Sequence, residues 1–553
     1  MTMQQEKMDT DHSINQPAEA ADTPRIPITL GLWNYYFIAK LILFWRELIE
    51  LHPLENLTFA AFLLIPINSR AGRHIRTLLA IPLGIALLYH DSFLPPIARA
   101  LSQASLLSSF SFDYLVELLG RFVSWPIVAM LVIAWSVYRI AEQHLRIGIF
   151  VIGALLWVTI SQLTNNQPKW LATASSATTQ QPAQQGTASL DSYLQSFYAK
   201  EAQRIEELPK EDLTAAPFDI VFIQICSLSW DDLQATGLTQ HRLWKNFDIV
   251  LRNFNSAASY SGPAAIRINR ALCGQSSHKD LYAPARENCY LMDNLKQAGF
   301  TTNLLLNHDG HFDDFLTEVQ NQNFHITPMP LNGLPVANRA FDDSPIYDDL
   351  AVLNRWVDTR QKSNAPRVAA YYNTVTLHDG NHLVSAPKLY SRDTYKQRLN
   401  TFLDELDDFM QQLAHRGRRT IVVVVPEHGA AFHGEKGQIS GLREIPSPAI
   451  TLVPVGIKVI GADGHRLGDA VQIDAPTSYL AISRIISQML EVSPFGVAGF
   501  SAADYVADLP QTEFVAENAD NVMLRRNGVY YLNQDKEGWK EYQLAPSMPD
   551  LSK

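Results

Sequence analysis

Hydrophobic positions fall in two different rhythms on either side of about residue 165. Before it, long apolar runs recur at about 29–49, 54–68, 75–94, 120–138 and 145–163. A helix needs about 20 apolar residues to cross a hydrocarbon core, so five spans are expected. The second and third runs are shorter and carry Pro66 and Pro82, and a re-entrant hairpin or buried helices would also fit them. After residue 165 the apolar runs become short and β-rich: FDIVFIQIC at 218–226, VAAYYNT at 368–374 and TIVVVVPEHG at 420–429. They are continuous rather than alternating, as central strands of a sheet covered on both faces are. Amphipathic stretches such as Tyr395–His415 lie between them and read as helices. The expectation is a doubly wound, mainly parallel α/β domain over about 205–500, with its site at the carboxyl ends of the strands.

Residues 171–188 are rich in Ala, Ser, Thr and Gln, bury nothing and read as a tether, followed by a helix-like stretch from Leu190 to Leu208. The chain thus divides into a tail at 1–28, an α-helical membrane domain at 29–164, a linker and connecting helix at 165–204, and a C-terminal domain at 205–553.

Charge orients this plan. Arg70, Arg73 and Arg76 lie in the second loop and Arg139 and Arg146 in the fourth, while the third, around 95–119, has only Arg99, Asp113 and Glu117. Positive loops stay on the cytoplasmic side. Residues 1–28 are polar and lack the apolar run and cleavage site of a removable signal, so they read as a cytoplasmic tail. An odd number of spans then delivers everything after residue 165 to the far side, with Trp33, Trp45, Trp125 and Trp157 near the membrane boundaries. A net charge of −11 offers no basic surface, which excludes nucleic acid as a partner.

Candidate chemistry gathers at strand ends. Cys226 follows the run Ile220–Ile225, Glu427 and His428 follow Ile421–Val425 by one proline, and His378 and His382 follow the strand ending near Tyr372. Each alone is more often a buried small hydrophobe or a polar loop. Together they supply sulfur, oxygen and nitrogen, a set that suits Zn²⁺. Ser261 in SYSGPAAIRINRAL is the nucleophile candidate, read as the N-cap of a helix whose free N–H groups would hold a phosphoryl oxygen. An ordinary helix cap is the competing reading of Ser-Gly-Pro.

Five segments, ICSLSWDD at 225–232, NSAASYSGPAAIR at 255–267, TLHDGNH at 376–382, VVPEHG at 424–429 and SGLREIPSP at 440–448, resemble the bacterial cellulose phosphoethanolamine transferases. The resemblance spans essentially the whole chain. It implies an alkaline-phosphatase-like fold, an inner-membrane protein with a periplasmic catalytic domain, phosphatidylethanolamine as donor and the glucose 6-hydroxyl of cellulose as acceptor. Subunits of the cellulose synthase complex are the partners it suggests. It also implies Zn²⁺ held by Cys226, Ser261, Glu427 and His428, with Tyr260, His378 and Arg443 in the catalytic site; His382 is a further candidate. Relatives that modify lipid A are similar in plan but usually present Glu, Thr and Asp-His at the ligand positions, and this chain departs from them at each. The alternatives are a phosphoethanolamine or phosphoglycerol transferase acting on another envelope glycan or lipid A, a phosphatase of the same fold, and a non-catalytic scaffold of the synthase complex. In an oxidising compartment Cys273 and Cys289, close in sequence, are expected to form a disulfide, leaving Cys226 as the odd thiol for the metal. Residues 522–532, VMLRRNGVYYL, carry an Asn-Gly hairpin signature.

Overall fold

The computed structural model describes residues 30–92, 110–165, 182–209 and 217–544, apart from 47, 68, 123, 124, 436, 437, 439, 462–465, 497 and 498. The expected tail at 1–28, Arg99 and residues 171–181 of the expected tether lie outside the described residues. The chain forms two units, one from the residues up to Ser92 together with Ala129–Gln167, the other from Phe93–Val128 and Pro168–Lys553.

Helices Trp33–Trp45, Pro53–Leu64, Arg70–His90, Trp125–Ala141 and Ile147–Asn165 fall on the five apolar runs and belong to the first unit, the fourth of them from Ala129 on. Among the described residues one of them, Arg70–His90, is long and apolar enough to cross a membrane. The second helix stops at Leu64, before Pro66, as the restriction a proline places on its predecessor requires. Lys40 forms a buried ion pair with Asp91 and donates to Asn56 Oδ1 at 2.8 Å, and Asn56 donates to Asp91 Oδ2 at 2.8 Å, so three helices share one satisfied polar cluster.

The second unit is built on a seven-stranded sheet. Its strands are β1 (Asp219–Ile225), β2 (Ile249–Asn255), β3 (Thr301–Leu306), β4 (Val368–Thr374), β5 (Thr420–Pro426), β6 (Leu452–Ile460) and β7 (Val471–Ile473), in the order β7-β2-β6-β5-β1-β4-β3. β6 runs antiparallel to both neighbours, β2 and β5, so the sheet is mixed. The reason is its connection: β5 ends and β6 begins at the same edge of the sheet, with only a loop and the short helix Pro448–Thr451 between, and no crossover reverses the chain.

Every residue of β1, β4 and β5 is buried. Alternation divides their side chains between two cores. Ile220 and Phe222 pack on one face with Ala265, Leu295 and Ile485, while Val221, Ile223 and Ile225 pack on the other with Leu353, Leu399 and Phe402. At the amino end of β1, Asp219 is fully buried and saturated: Arg360 donates from Nε at 3.0 Å and Nη2 at 3.1 Å, Arg418 donates through Nε and through Nη2 at 3.2 Å, and Val368 N donates at 2.8 Å.

Two segments differ from the sequence expectation. A helix begins at Pro182, inside the expected tether, and ends at Glu201, short of Leu208. Proline suits a first helical turn, and Leu190 and Phe197 cluster with Val515 and Leu524 of the C-terminal four-stranded sheet, which gives this polar-looking stretch a buried face. Residues 112–122 of the third loop form a helix belonging to the second unit, where Ser111 N donates to Phe341 O at 2.8 Å and Glu117 accepts from Ser391 N at 3.3 Å. The Asn-Gly signature forms its hairpin, Asn521–Arg526 against Val529–Gln534, with Asn527 and Gly528 at φ of 51° and 82°. Cys273 and Cys289 form a disulfide.

Candidate functional site

Cys226 leaves β1 at its carboxyl end, and Ser227 turns the chain away with φ of 66°. A non-glycine residue there is strained by roughly 1–3 kcal/mol and persists only where its surroundings fix it. They do: Cys226 N donates to Thr374 O at 3.0 Å, Leu228 N to His428 O at 2.7 Å, and Tyr395 OH to Ser227 O at 2.7 Å. On the neighbouring strand Glu427 N extends the ladder to Ile225 O at 2.8 Å. Gly429 then lies so close to the Ser229–Asp232 capping box that an added Cβ would be 2.6 Å from Ser229 Oγ. The Asp232 carboxylate accepts from Ala430 N at 2.8 Å and fastens this turn.

The ligand atoms of Cys226, Glu427 and His428 lie within 4.8 Å of one another, and all three residues are fully buried. Cys226 Sγ is 3.9 Å and Glu427 Oε2 3.7 Å from His428 Nε2. His428 Nδ1 is 2.9 Å from Gly429 O. A carbonyl only accepts, so Nδ1 carries the proton and the Nε2 lone pair faces the cluster. Glu427 Oε1 accepts from Asn373 Nδ2 at 2.6 Å, whereas buried Oε2 makes no hydrogen bond among the described residues. Burial, and then the nearby Glu427 charge, pushes the Cys226 thiol up to about 12; burial pushes Glu427 up to about 7 and His428 well below the usual imidazole range. These groups resist net charge by themselves, and a divalent cation reverses that preference for the thiol and the carboxyl. The donor set, the orphaned Oε2 and the inward Nε2 fit zinc.

Ser261 Oγ lies 3.4 Å from both Cys226 Sγ and His428 Nε2, and Ser261 is only half-buried. The expected N-cap role is corrected by one residue: the helix is Ser261–Asn269, Tyr260 holds the N-cap position with extended backbone, and no side chain caps it. Ser261 is the first helical residue, with its hydroxyl turned to the thiol and imidazole.

Arg443 donates to Ser227 Oγ at 3.2 Å and lies over the Tyr260 ring at 5.6 Å, and its buried Nε makes no hydrogen bond among the described residues. The Tyr260 hydroxyl donates to Glu444 Oε1 at 2.8 Å. His378, packed beside Phe341 and Phe312, is pushed down to about 4 by burial and then by the Arg443 charge. The structure therefore brings Cys226, Ser261, Glu427 and His428 together; Arg443 joins them through Ser227, and Tyr260, beside Ser261 in the chain, lies under Arg443. His382 has other company: its Nδ1 is 3.3 Å from Leu389 O and its Nε2 is 3.9 Å from Glu117 Oε2. Sequence reasoning missed Asn373, whose signal was a lone amide near the end of the otherwise apolar VAAYYNT, and Ser227, which local sequence did not mark.

A mixed α/β sheet with a thiol, a carboxyl and an imidazole at adjacent strand ends, and a serine hydroxyl within reach of two of them, defines a protein with a candidate metal-and-nucleophile centre. The family model described as the C-terminal domain of cellulose biosynthesis protein BcsG matches residues 173–539, and that of the BcsG N-terminal domain matches 33–160. The chain belongs to the BcsG family of cellulose biosynthesis proteins. It is 42% identical over 540 residues to the cellulose biosynthesis protein BcsG of Escherichia coli K12, covering 93% of this chain and 96% of the relative. The BcsG of Salmonella typhimurium LT2 is 40% identical over 554 residues, covering 94% and 99%. The fold is also similar to the integral membrane lipooligosaccharide phosphoethanolamine transferase A (EptA) of Neisseria meningitidis, over 86% of this chain and 98% of that one, at 12% identity and a TM-score of 0.41, too slight a likeness to carry an argument.

Proposed function

We propose that the protein transfers phosphoethanolamine from phosphatidylethanolamine to the 6-hydroxyl of glucose units in cellulose, with its second unit in the periplasm and its first in the inner membrane. The observation that carries the reading is Ser261 Oγ at 3.4 Å from both Cys226 Sγ and His428 Nε2: a nucleophile inside a ligand set. The residue series shared with cellulose phosphoethanolamine transferases supplies the donor and acceptor.

Zn²⁺ would be held by Cys226, Glu427 and His428 with Ser261 beside them, and when bound it supplies Lewis acidity that favours the serine alkoxide and a phosphoryl oxygen. Ser261 Oγ attacks the donor phosphorus in line; the bond from phosphorus to diacylglycerol oxygen breaks as the bond to Oγ forms. His378, neutral at physiological pH, passes the serine proton to the leaving alkoxide. The glucose 6-hydroxyl then attacks the phosphoethanolamine ester on Ser261; the bond from phosphorus to Oγ breaks as the new one forms, and His378 takes the 6-hydroxyl proton and returns it to Oγ. Arg443 stabilises the non-bridging oxygens, a task its fixed donor fork suits and for which its Nε, buried and making no hydrogen bond among the described residues, remains available. Tyr260 positions Arg443, whose guanidinium lies over its ring at 5.6 Å. The membrane, cellulose and cellulose synthase subunits are the partners in this reading.

Ser261→Ala tests it. The variant is expected to retain fold and zinc while cellulose made beside it carries no phosphoethanolamine, and wild-type protein incubated with labelled donor is expected to yield a labelled peptide containing Ser261. Modified cellulose from Ser261→Ala would end the proposal, and a labelled phosphoglycerol group in place of phosphoethanolamine would replace its donor.

A further inference from the structure

Glu427 is held from behind. Its Oε1 accepts from Asn373 Nδ2 at 2.6 Å, and Asn373 Oδ1 lies 3.0 Å from His308 Nε2. The direction of this chain is fixed at its far end, where Gly310 N donates to His308 Nδ1 at 3.1 Å. A ring nitrogen that accepts cannot carry the proton, so neutral His308 carries it on Nε2 and donates to Asn373 Oδ1. The amide can then present only its N–H to Glu427. Turned over, it would set an oxygen against a carboxylate and an NH₂ against an N–H donor.

From this geometry we infer that His308 and Asn373 are positioning residues for the metal ligand Glu427, occupying Oε1 so that Oε2 is the oxygen presented to the cation. The inference rests on the zinc reading above and deepens it. Two further observations support it. Among the described residues Glu427 Oε2 makes no hydrogen bond, and it is the oxygen facing His428 Nε2, at 3.7 Å. The relay is also mounted on rigid parts. His308 follows β3 and Asn373 lies on β4, and Asn307, beside His308, donates to Thr374 Oγ1 at 3.0 Å and Thr376 Oγ1 at 2.9 Å, locking those strand ends together. A buried carboxylate with both oxygens unconstrained would rotate between ligand geometries, whereas one with Oε1 engaged offers a single oxygen in a fixed direction.

The test is zinc affinity of the detergent-solubilised full chain, measured by competition with a chromophoric chelator, with the thiolate-to-Co²⁺ absorption of the cobalt-substituted protein as a second readout. Removing an outer partner of a metal ligand typically costs 10–100-fold in affinity, and Asn373→Ala is expected to lose zinc by about that factor. Asn373→Asp keeps the shape but replaces the donor with a second carboxylate, so it is expected to lose more. This variant decides the matter if the alanine variant does not fold. His308→Ala is expected to show a smaller loss in the same direction, and His308→Gln, which retains an N–H for Asn373 Oδ1, to recover affinity and to restore the cobalt spectrum. Zinc binding within twofold of wild type in both Asn373→Ala and Asn373→Asp would overturn the relay while leaving the zinc reading standing. A wild-type chain that binds no zinc would overturn both.

Discussion

Asp219 and Glu427 are both fully buried carboxyl groups on adjacent strands, at opposite ends of the sheet. Asp219 is surrounded by two arginines and a backbone N–H that satisfy both of its oxygens. Glu427 has one amide donor on Oε1 and, among the described residues, no hydrogen bond on Oε2. The same costly group is thus used in two ways. At the amino end the protein supplies the cations from its own chain and gains a rigid sheet margin. At the carboxyl end it leaves one oxygen to be satisfied by something else, and surrounds that oxygen with a thiol, an imidazole and a hydroxyl. Completeness of the polar shell, rather than burial, separates a structural carboxylate from a ligand.

The largest effect that tests this contrast belongs to Glu427→Gln. Zinc and transfer activity are expected to be lost, while the metal-free protein melts at the wild-type temperature or above it, because a buried group that prefers a charge-compensating cation has been made neutral. A metal-free variant that melts well below wild type would show Glu427 to be structural. Asp219→Ala is expected to behave in the opposite way, destabilising the second unit by about 3–5 kcal/mol by stranding Arg360, with zinc stoichiometry intact in the folded fraction. Urea unfolding followed by tryptophan fluorescence reads it, and a cost below about 1 kcal/mol would erase the distinction between the two ends.

Asp349 is the intermediate case, with neutral donors only: Tyr372 OH at 2.5 Å, Thr376 Oγ1, and Asn307 Nδ2 at 3.4 Å. Burial pushes its carboxyl up from 3.8 to about 6 despite these bonds. A carboxyl whose folded value is raised prefers the proton in the folded state. Its contribution to stability is therefore complete below pH 3.8 and is lost as pH rises through about 6. The loss expected across that window is about 3 kcal/mol, and Asp349→Asn should remove this slope from the pH dependence of unfolding. An unchanged slope in the variant would assign it elsewhere. The smallest effect sharpens the role of Arg443. Arg443→Lys keeps the charge but not the fork, so kcat is expected to fall by about 10-fold or more with zinc affinity little changed. Equal activity would reduce the arginine to a point charge.

Much of this arrangement is legible in the sequence, and what was missed has physical causes. The runs ending at Ile225 and Val425 could be read as central strands because full burial on both faces demands continuous apolar residues, and the strand-end rule then singles out Cys226, Glu427 and His428. The direction of β6 was not legible, since hydropathy is the same whichever way a strand runs and only the length of its connection tells. The sequence reads Ser261 as the N-cap where the structure has it first in the helix, because a Ser-Gly-Pro start satisfies the rule for a cap whether or not its hydroxyl is used as one. The helix from Pro182 was hidden by its Gln- and Ala-rich composition. Its apolar face becomes apparent only against Val515 and Leu524, more than three hundred positions away. Asn373 was passed over because its partners come from segments far apart in the chain.

The junction after the helix Pro182–Glu201 has a mechanical consequence. The chain pairs there with the end of the nucleophile-bearing segment: Glu206 N donates to Leu272 O at 2.8 Å, Gly274 N to Arg204 O at 3.1 Å, and Gln275 N to Glu201 Oε2 at 3.0 Å. A Cβ on Gly274 would come within 2.2 Å of Glu201 O, so the two backbones lie in direct contact. Tension arriving along the chain ahead of Pro182 would load this clamp in shear, where several hydrogen bonds share the force. On its other side the clamp is riveted by the Cys273–Cys289 cross-link, which carries the load to residue 289 without passing it through the intervening turn. The joint would act as a strain relief, taking up such a load between residues 201 and 289 so that Ser261 keeps its place beside Cys226 and His428.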